Sequence, residues 1–227
     1  MNKSFSIQPI AHIENDYREK FGIPRQSGIV SQQSKIVFEP EFRNEDALRG
    51  IEGYSHLWLI WQFSQAIRSE WSPTVRPPRL GGNTRMGVFA SRSPFRPNSL
   101  GLSCVTLDGV KKEKENGTVL LVSGADLMNG TPIFDVKPYV PYADCKPNAT
   151  DGFSVNPDAY SLSVFCPQAL LERMETSKRE ALIETLQCDP RPSYQHDPTR
   201  IYKMSFGCYT VHFTVNGTDL TVTDITE

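Results

Sequence analysis

The 227 residues contain no G-x-G-x-x-G, no G-K-[ST] and no H-E-x-x-H, which removes the common nucleotide-binding and zinc-protease signatures. Histidine is scarce. His12, His56, His196 and His212 show no metal-ligand spacing with cysteine or carboxylates, so no metal is expected. The five cysteines (Cys104, Cys145, Cys166, Cys188 and Cys208) are odd in number and far apart, and no C-x-x-C occurs. Reduced thiols follow, not a disulfide framework. No apolar run is long enough for a signal peptide or a membrane span, so a soluble cytoplasmic chain without a membrane partner is expected. The formal net charge is only -2, so a nucleic-acid partner has to be met by a local patch. Screening over about 8 Å lets nearby charges dominate such a contact.

One local absence carries more than these. From Trp71 to Leu107 there is no Asp, Glu or lysine, yet five arginines occur: Arg76, Arg79, Arg85, Arg92 and Arg96. Arginine offers a planar fork suited to phosphate and carboxylate. Within Arg85–Gly101, Pro94 and Pro97 fix their own backbone angles and push Ser93 and Arg96 toward extended conformations. The result is a stiff, basic loop that seeks an anion.

Apolar or alternating segments of strand length occupy Phe5–Ile13, Lys35–Phe38, Leu57–Phe63, Gly87–Ala90, Leu100–Leu107, Thr118–Ser123 and Ile133–Tyr139. Glu39–Gly53 has acids early and glycine late, the polarity of one short helix. Many strands with one early helix predict a mainly β fold, an N-terminal β-barrel-like domain over residues 1–145. Residues 146–167, rich in Pro, Asn, Asp and Gly, read as a linker. Residues 168–227 then form a small α+β domain. A helix over Gln168–Leu186 stops before Asp189-Pro190, and strands over Ile201–Val215 and Leu220–Ile225 flank an Asn216-Gly217 turn. A unit this small needs a surface to dock on.

Two further constellations carry polar chemistry. Asp126 to Pro132 is a turn rich in backbone donors, followed by Asp135, Lys137 and Tyr139 in period-two register on one strand face. A structural salt bridge accounts for the Asp and Lys equally well. Asp189-Pro-Arg-Pro-Ser-Tyr194 is a rigid turn with Arg191 between prolines, and a simple helix stop explains it from spacing alone.

Taken with Pro24-Arg25-Gln26, Ser55-His-Leu-Trp58, Arg76-Pro-Pro-Arg79, Arg85–Phe89 and Arg92–Asn98, these motifs resemble the TsaA-like or TrmO family in order along nearly the whole chain. The resemblance implies an S-adenosyl-L-methionine-dependent tRNA methyltransferase with a barrel catalytic domain in place of a Rossmann-like one. Its reaction would methylate the exocyclic nitrogen of N6-threonylcarbamoyladenosine in the anticodon loop, and its assembly would be a homodimer whose chains jointly build the site. By the same likeness, Pro24, Arg25, Gln26, Ser64, Gln65, Arg92, Leu102, Leu127, Met128, Asn129 and Gly130 would surround the cofactor. Asp135, Lys137, Tyr139, Asp189, Arg191 and Tyr194 would lie at the reacting centre or on the tRNA, with Arg76, Arg79, Arg85 and Arg96 on the RNA. Two departures stand out. Ser99-Leu100 replaces the usual Pro-Ile, and Asn129 replaces an Asp expected near the cofactor. The residues by themselves also allow a non-catalytic barrel that binds RNA or another anion, or a methyltransferase with a different acceptor.

Overall fold

A computed structural model describes the chain except residues 1–4, 78–79, 81–82, 154–160, 193–194 and 196. The sites assigned to Arg79 and Tyr194 therefore lie outside the described residues.

Six antiparallel strands close a barrel: β1 (Ala11–Glu14), β2 (Gln33–Phe38), β3 (His56–Gln62), β6 (Leu100–Glu113), β7 (Gly117–Ser123) and β8 (Pro132–Pro138), while β4 (Thr74–Val75) and β5 (Met86–Gly87) form a separate ladder. The barrel order is β1-β2-β7-β6-β3-β8, and β8 returns to β1 through Ala11 opposite Ile133. Strand β3 shows why it closes. Leu57, Leu59 and Trp61 are buried while His56, Trp58, Ile60 and Gln62 face outward, the period of a strand with one face in a core. The inward residues join Ile13, Ile36, Val105, Leu120, Val122, Leu127 and Ile133. Each such aliphatic side chain contributes about 1.5–3 kcal/mol on burial.

Several boundaries differ from the sequence reading. The first strand begins at Ala11, not Phe5. Residues 39–53 form three separate 3-10 turns in place of one helix. Pro40 starts the first, Asn44 caps the second through Asp46, and Gly50 at φ 86° breaks into the third. Of the expected Gly87–Ala90 strand only Gly87 pairs, within Met86–Gly87, and Val88–Ala90 turns away as a 3-10 segment. The span read as linker contains β9 (Ser163–Phe165), which pairs in parallel with the last strand.

After a short α1 (Pro141–Asp144), the second unit sets α2 (Gln168–Leu171) and α3 (Thr176–Gln187) against a sheet ordered β10-β11-β12-β9. Here β10 is Tyr202–Phe206, β11 Tyr209–Asn216 and β12 Asp219–Thr226. The single helix expected over 168–186 is broken between α2 and α3, and the guanidinium of Arg179 donates to the Met174 carbonyl at the break. Gly207 at φ 61° divides the expected 201–215 strand into β10 and β11. The tail docks on its own chain. The β1–β2 connection sends Tyr17, Phe21, Ile23 and Val30 into the core of the second unit. Polar contacts fix that crossing: Lys178 Nζ lies 2.6 Å from Asp16 Oδ1, and the Gly207 N–H donates to the Asp16 carbonyl at 2.8 Å.

Candidate ligand cleft

Strands β3 and β6 pair up to Gln62 opposite Leu100, so residues 63–99 form one long excursion from a single hairpin. The excursion folds back beside the outer wall of the barrel and meets the 20–26 segment. Between them lies a cleft of about 1320 Å³. Its floor is built by a close approach of side chain and backbone. Trp61 lies over Gly101, its register partner, and its indole N–H donates to Ser103 Oγ at 2.9 Å. Ser103 in turn donates to Asp126 Oδ1. Phe63 packs on Trp61 at 4.2 Å between ring centroids. Phe89 and Phe95 add aromatic wall, the latter beneath the guanidinium of Arg68 at 3.7 Å.

Four cations, Lys20, Arg25, Arg92 and Arg96, and one carboxylate, Asp126, line this space. Arg92 lines it and donates to Gln26 Oε1. Asp126 lines it from a partly buried position. Burial pushes its carboxyl above the ordinary carboxylate range, opposed by the Ser103 hydrogen bond and by the charge of Arg92. A cleft with aromatic walls, an arginine fork and one partly buried carboxylate suits a small molecule that has an aromatic part and charges of both signs.

Of the residues assigned to a cofactor, Pro24, Arg25, Gln26, Ser64, Gln65, Arg92, Leu102 and Met128 line the cleft. Leu127 does not, because it points into the barrel core with no exposure. Asn129 and Gly130 form the turn behind it. Asn129 Oδ1 accepts the Asn15 N–H at 2.9 Å, and Gly130, at φ 76°, donates its N–H to the Ile13 carbonyl. An aspartate at 129 would accept the same hydrogen bond, so the asparagine removes no group from the cleft. Ser99 is buried at φ 41°, a backbone that proline, fixed near -65°, does not adopt. The serine therefore goes with a particular turn.

The arginines expected on RNA divide. Arg96 lines the cleft and donates to the Ser91 carbonyl at 3.1 Å. Arg85 donates to Thr74 Oγ1 at 3.2 Å across the β4–β5 ladder, and Arg76 follows that ladder away from the cleft.

The residues assigned to the reacting centre form two groups. Asp135 and Lys137 are ion-paired at 2.9 Å on β8, and Asp135 sits opposite Ile60, whose side chain lines the cleft. Tyr139 packs on Trp58 and His56, and partial burial, followed by the influence of Cys145, Asp144 and Cys104, pushes its phenol up. The second group lies at the end of α3. Asp189 takes the left-handed conformation there, at φ 50°, and Pro190 prevents continuation. Both carboxylate oxygens are engaged by Arg191, which donates from Nε at 2.9 Å and from Nη2 at 3.0 Å and is itself only 7% exposed. Neither residue lines the cleft. Arg25 links the two regions, because it lines the cleft and its charge also reaches Cys188, just before Asp189.

The sequence reading left Asp126, Trp61 and Ser103 out of the site. Asp126 opens the turn that runs to Pro132, and its signal is a carboxylate three residues past an apolar strand. The role of Trp61 depends on a strand partner forty residues away and had no local signal.

The architecture is that of a barrel protein whose ligand cleft is roofed by a single inserted arm, without a Rossmann-type sheet. The chain belongs to the tRNA-methyltransferase O (TrmO) family: its N-terminal domain model matches residues 12–145 and its C-terminal domain model residues 162–227. The tRNA (adenine(37)-N6)-methyltransferase of Escherichia coli (strain K12) is 41% identical over 199 residues, covering 85% of this chain and 84% of that one. A Pseudomonas aeruginosa protein provisionally named an S-adenosylmethionine-dependent methyltransferase is 38% identical over 216 residues, 92% of this chain and 91% of its own. The crystal structure of TrmO from Pseudomonas aeruginosa superposes with a TM-score of 0.78 at 31% identity, over 99% of this chain and 100% of that one. Among the described residues no helix is long and apolar enough to cross a membrane.

Proposed function

We propose that the protein is an S-adenosyl-L-methionine-dependent methyltransferase that acts on tRNA in the cytoplasm, methylating N6 of N6-threonylcarbamoyladenosine; the name of the E. coli relative supports N6 of the adenine at position 37 as the target. The observation that carries this reading is the cleft itself, with Arg92 and Asp126 facing it between aromatic walls. The donor set fits the cofactor. Arg92, oriented by Gln26, suits the amino-acid carboxylate, Asp126 suits a positive charge, and Phe63, Phe89 and Phe95 suit an adenine ring. When bound, S-adenosylmethionine supplies the methyl group.

The chain's own contribution is mainly position. A displacement at carbon requires collinear alignment, and holding both reactants can supply about 7–11 kcal/mol of the barrier. The acceptor nitrogen is urea-like and has a proton to lose. Asp135 is the favoured acceptor for that proton, since it pairs across from the cleft-lining Ile60 with Lys137 to hold it, and Tyr139 remains a neutral donor further along the same strand. Asp189 is less suited because the buried Arg191 clamps both of its oxygens, whereas the cation paired with Asp135 is the exposed Lys137. The Asp189–Arg191 turn is assigned to the RNA side of the site. Leu102, 53% exposed at the cleft edge, supports a homodimer in which a second chain covers this face.

Calorimetric titration with S-adenosylmethionine tests the reading. Binding is expected. No binding, with RNA still bound, would leave a non-catalytic RNA-binding barrel.

A further inference from the structure

The inserted arm carries an aromatic pair of which the cofactor cleft uses only the inner member. Trp71 and Phe89, eighteen residues apart, stack with centroids 6.1 Å apart and planes 28° from parallel. Both are exposed, Trp71 at 51% and Phe89 at 71%. Their positions are held from below: Thr74 and Val75 pair with Gly87 and Met86, and the Val88 N–H donates to the Pro73 carbonyl at 2.9 Å. Two large rings kept in water by a braced backbone bury little apolar area within the chain. Folding does not explain them. Phe89 also contributes to the wall of the cleft, whereas Trp71 does not, so the pair begins at the mouth of the site and extends outward.

We propose that the Trp71–Phe89 pair is a stacking platform for an unpaired base of the RNA substrate, next to the nucleotide whose base enters the cleft. This rests on the reading of the protein as a tRNA methyltransferase. The surroundings decide between RNA and a second copy of the chain. Residues 63–99 contain six arginines and one acid, Glu70. A two-fold contact of this arm with itself would set like charges against each other. An RNA loop brings phosphates to the arginines and splayed bases to the rings. Arg85, held on Thr74 of the same ladder, is placed for a phosphate beside the stacked base. Every base has a π face, so the platform fixes the position of a neighbouring nucleotide without selecting its identity.

The test uses the full-length protein, an anticodon stem-loop RNA and three variants: Trp71→Ala, Trp71→Phe and, as a control on the opposite unit, Phe165→Ala. Trp71→Ala should weaken RNA binding by about tenfold, the lower part of the range for loss of one stacked base. Trp71→Phe should restore most of it, Phe165→Ala should leave it unchanged, and all three should bind S-adenosylmethionine like the parent. Equal RNA affinity in Trp71→Ala and the parent overturns the platform while leaving the methyltransferase reading intact. A shift of Trp71→Ala from dimer to monomer in sedimentation, with RNA affinity per chain unchanged, overturns it in favour of an interface between copies. A parent protein that binds no tRNA overturns both.

Discussion

Gly101 stands directly across from Trp61 in the β3–β6 ladder, and a β-carbon at 101 would fall 2.3 Å from indole Cε2. The indole has no room to retreat, since its other face belongs to the barrel core and its N–H is held by Ser103. Gly101→Ala should therefore cost about 1–3 kcal/mol of stability through overpacking and displace the floor of the cleft. Gly87→Ala, with open space around its added carbon, should melt like the parent. Thermal denaturation and cofactor titration of the two variants check this, and equal behaviour would contradict it.

Arg92 lines the cleft and is oriented by a second cleft residue, Gln26. Arg92→Ala should lower S-adenosylmethionine affinity about 10- to 100-fold, the usual worth of a hydrogen bond to a charged group. Arg92→Lys keeps the charge but loses the planar fork, and should recover only part of that loss. Calorimetry reads both.

Asp126 gives a pH signature. Its folded-state carboxyl is raised by burial above the value of an unfolded aspartate, about 3.9. Below that pH both states are neutral and burial has no electrostatic penalty. As pH rises past it, the unfolded chain releases its proton first, and the folded state loses relative stability until its own carboxyl ionises. Asp126→Asn keeps an acceptor for Ser103 and removes the titration. The variant should be more stable than the parent at pH 7, with the difference closing near about pH 3, while its cofactor binding falls. A difference that is the same at both pH values would refute this.

The Asp189–Arg191 pair predicts a structural effect that activity assays alone would misread. Asp189→Ala leaves a buried guanidinium without its partner, a loss of about 3 kcal/mol for a broken buried pair. Replacing both, as Asp189→Ala with Arg191→Met, removes the stranded charge and should recover much of the stability. Denaturant unfolding of the single and double variants measures it.

The barrel was legible because its strands announce themselves by local alternation: Leu57, Leu59 and Trp61 in β3 needed only their own spacing. The arginine loop was legible through its composition, and two of its arginines, Arg92 and Arg96, line the cleft. The 39–53 region was not, because acids early and glycine late describe a helix and a chain of 3-10 turns equally well. The strand break in the second unit depended on a distant partner, Gly207 resting on Asp16, and the helix break on a local one, Arg179 reaching back to the Met174 carbonyl, that apolar spacing does not register. Eight of the eleven residues assigned to the cofactor line the cleft. Leu127 shows what alignment to a motif leaves out: a residue can sit inside a binding motif and point into the core. Asp126 shows the converse, its place in the cleft fixed by Ser103 and Trp61 on strands remote in sequence.

The most direct measurement is methyl transfer from S-adenosylmethionine to two purified tRNAs that differ only in the threonylcarbamoyl group, read by nucleoside mass spectrometry. The account predicts N6-methylated threonylcarbamoyladenosine in the modified tRNA and no product from the unmodified one. Transfer to neither, or equal transfer to both, would contradict it.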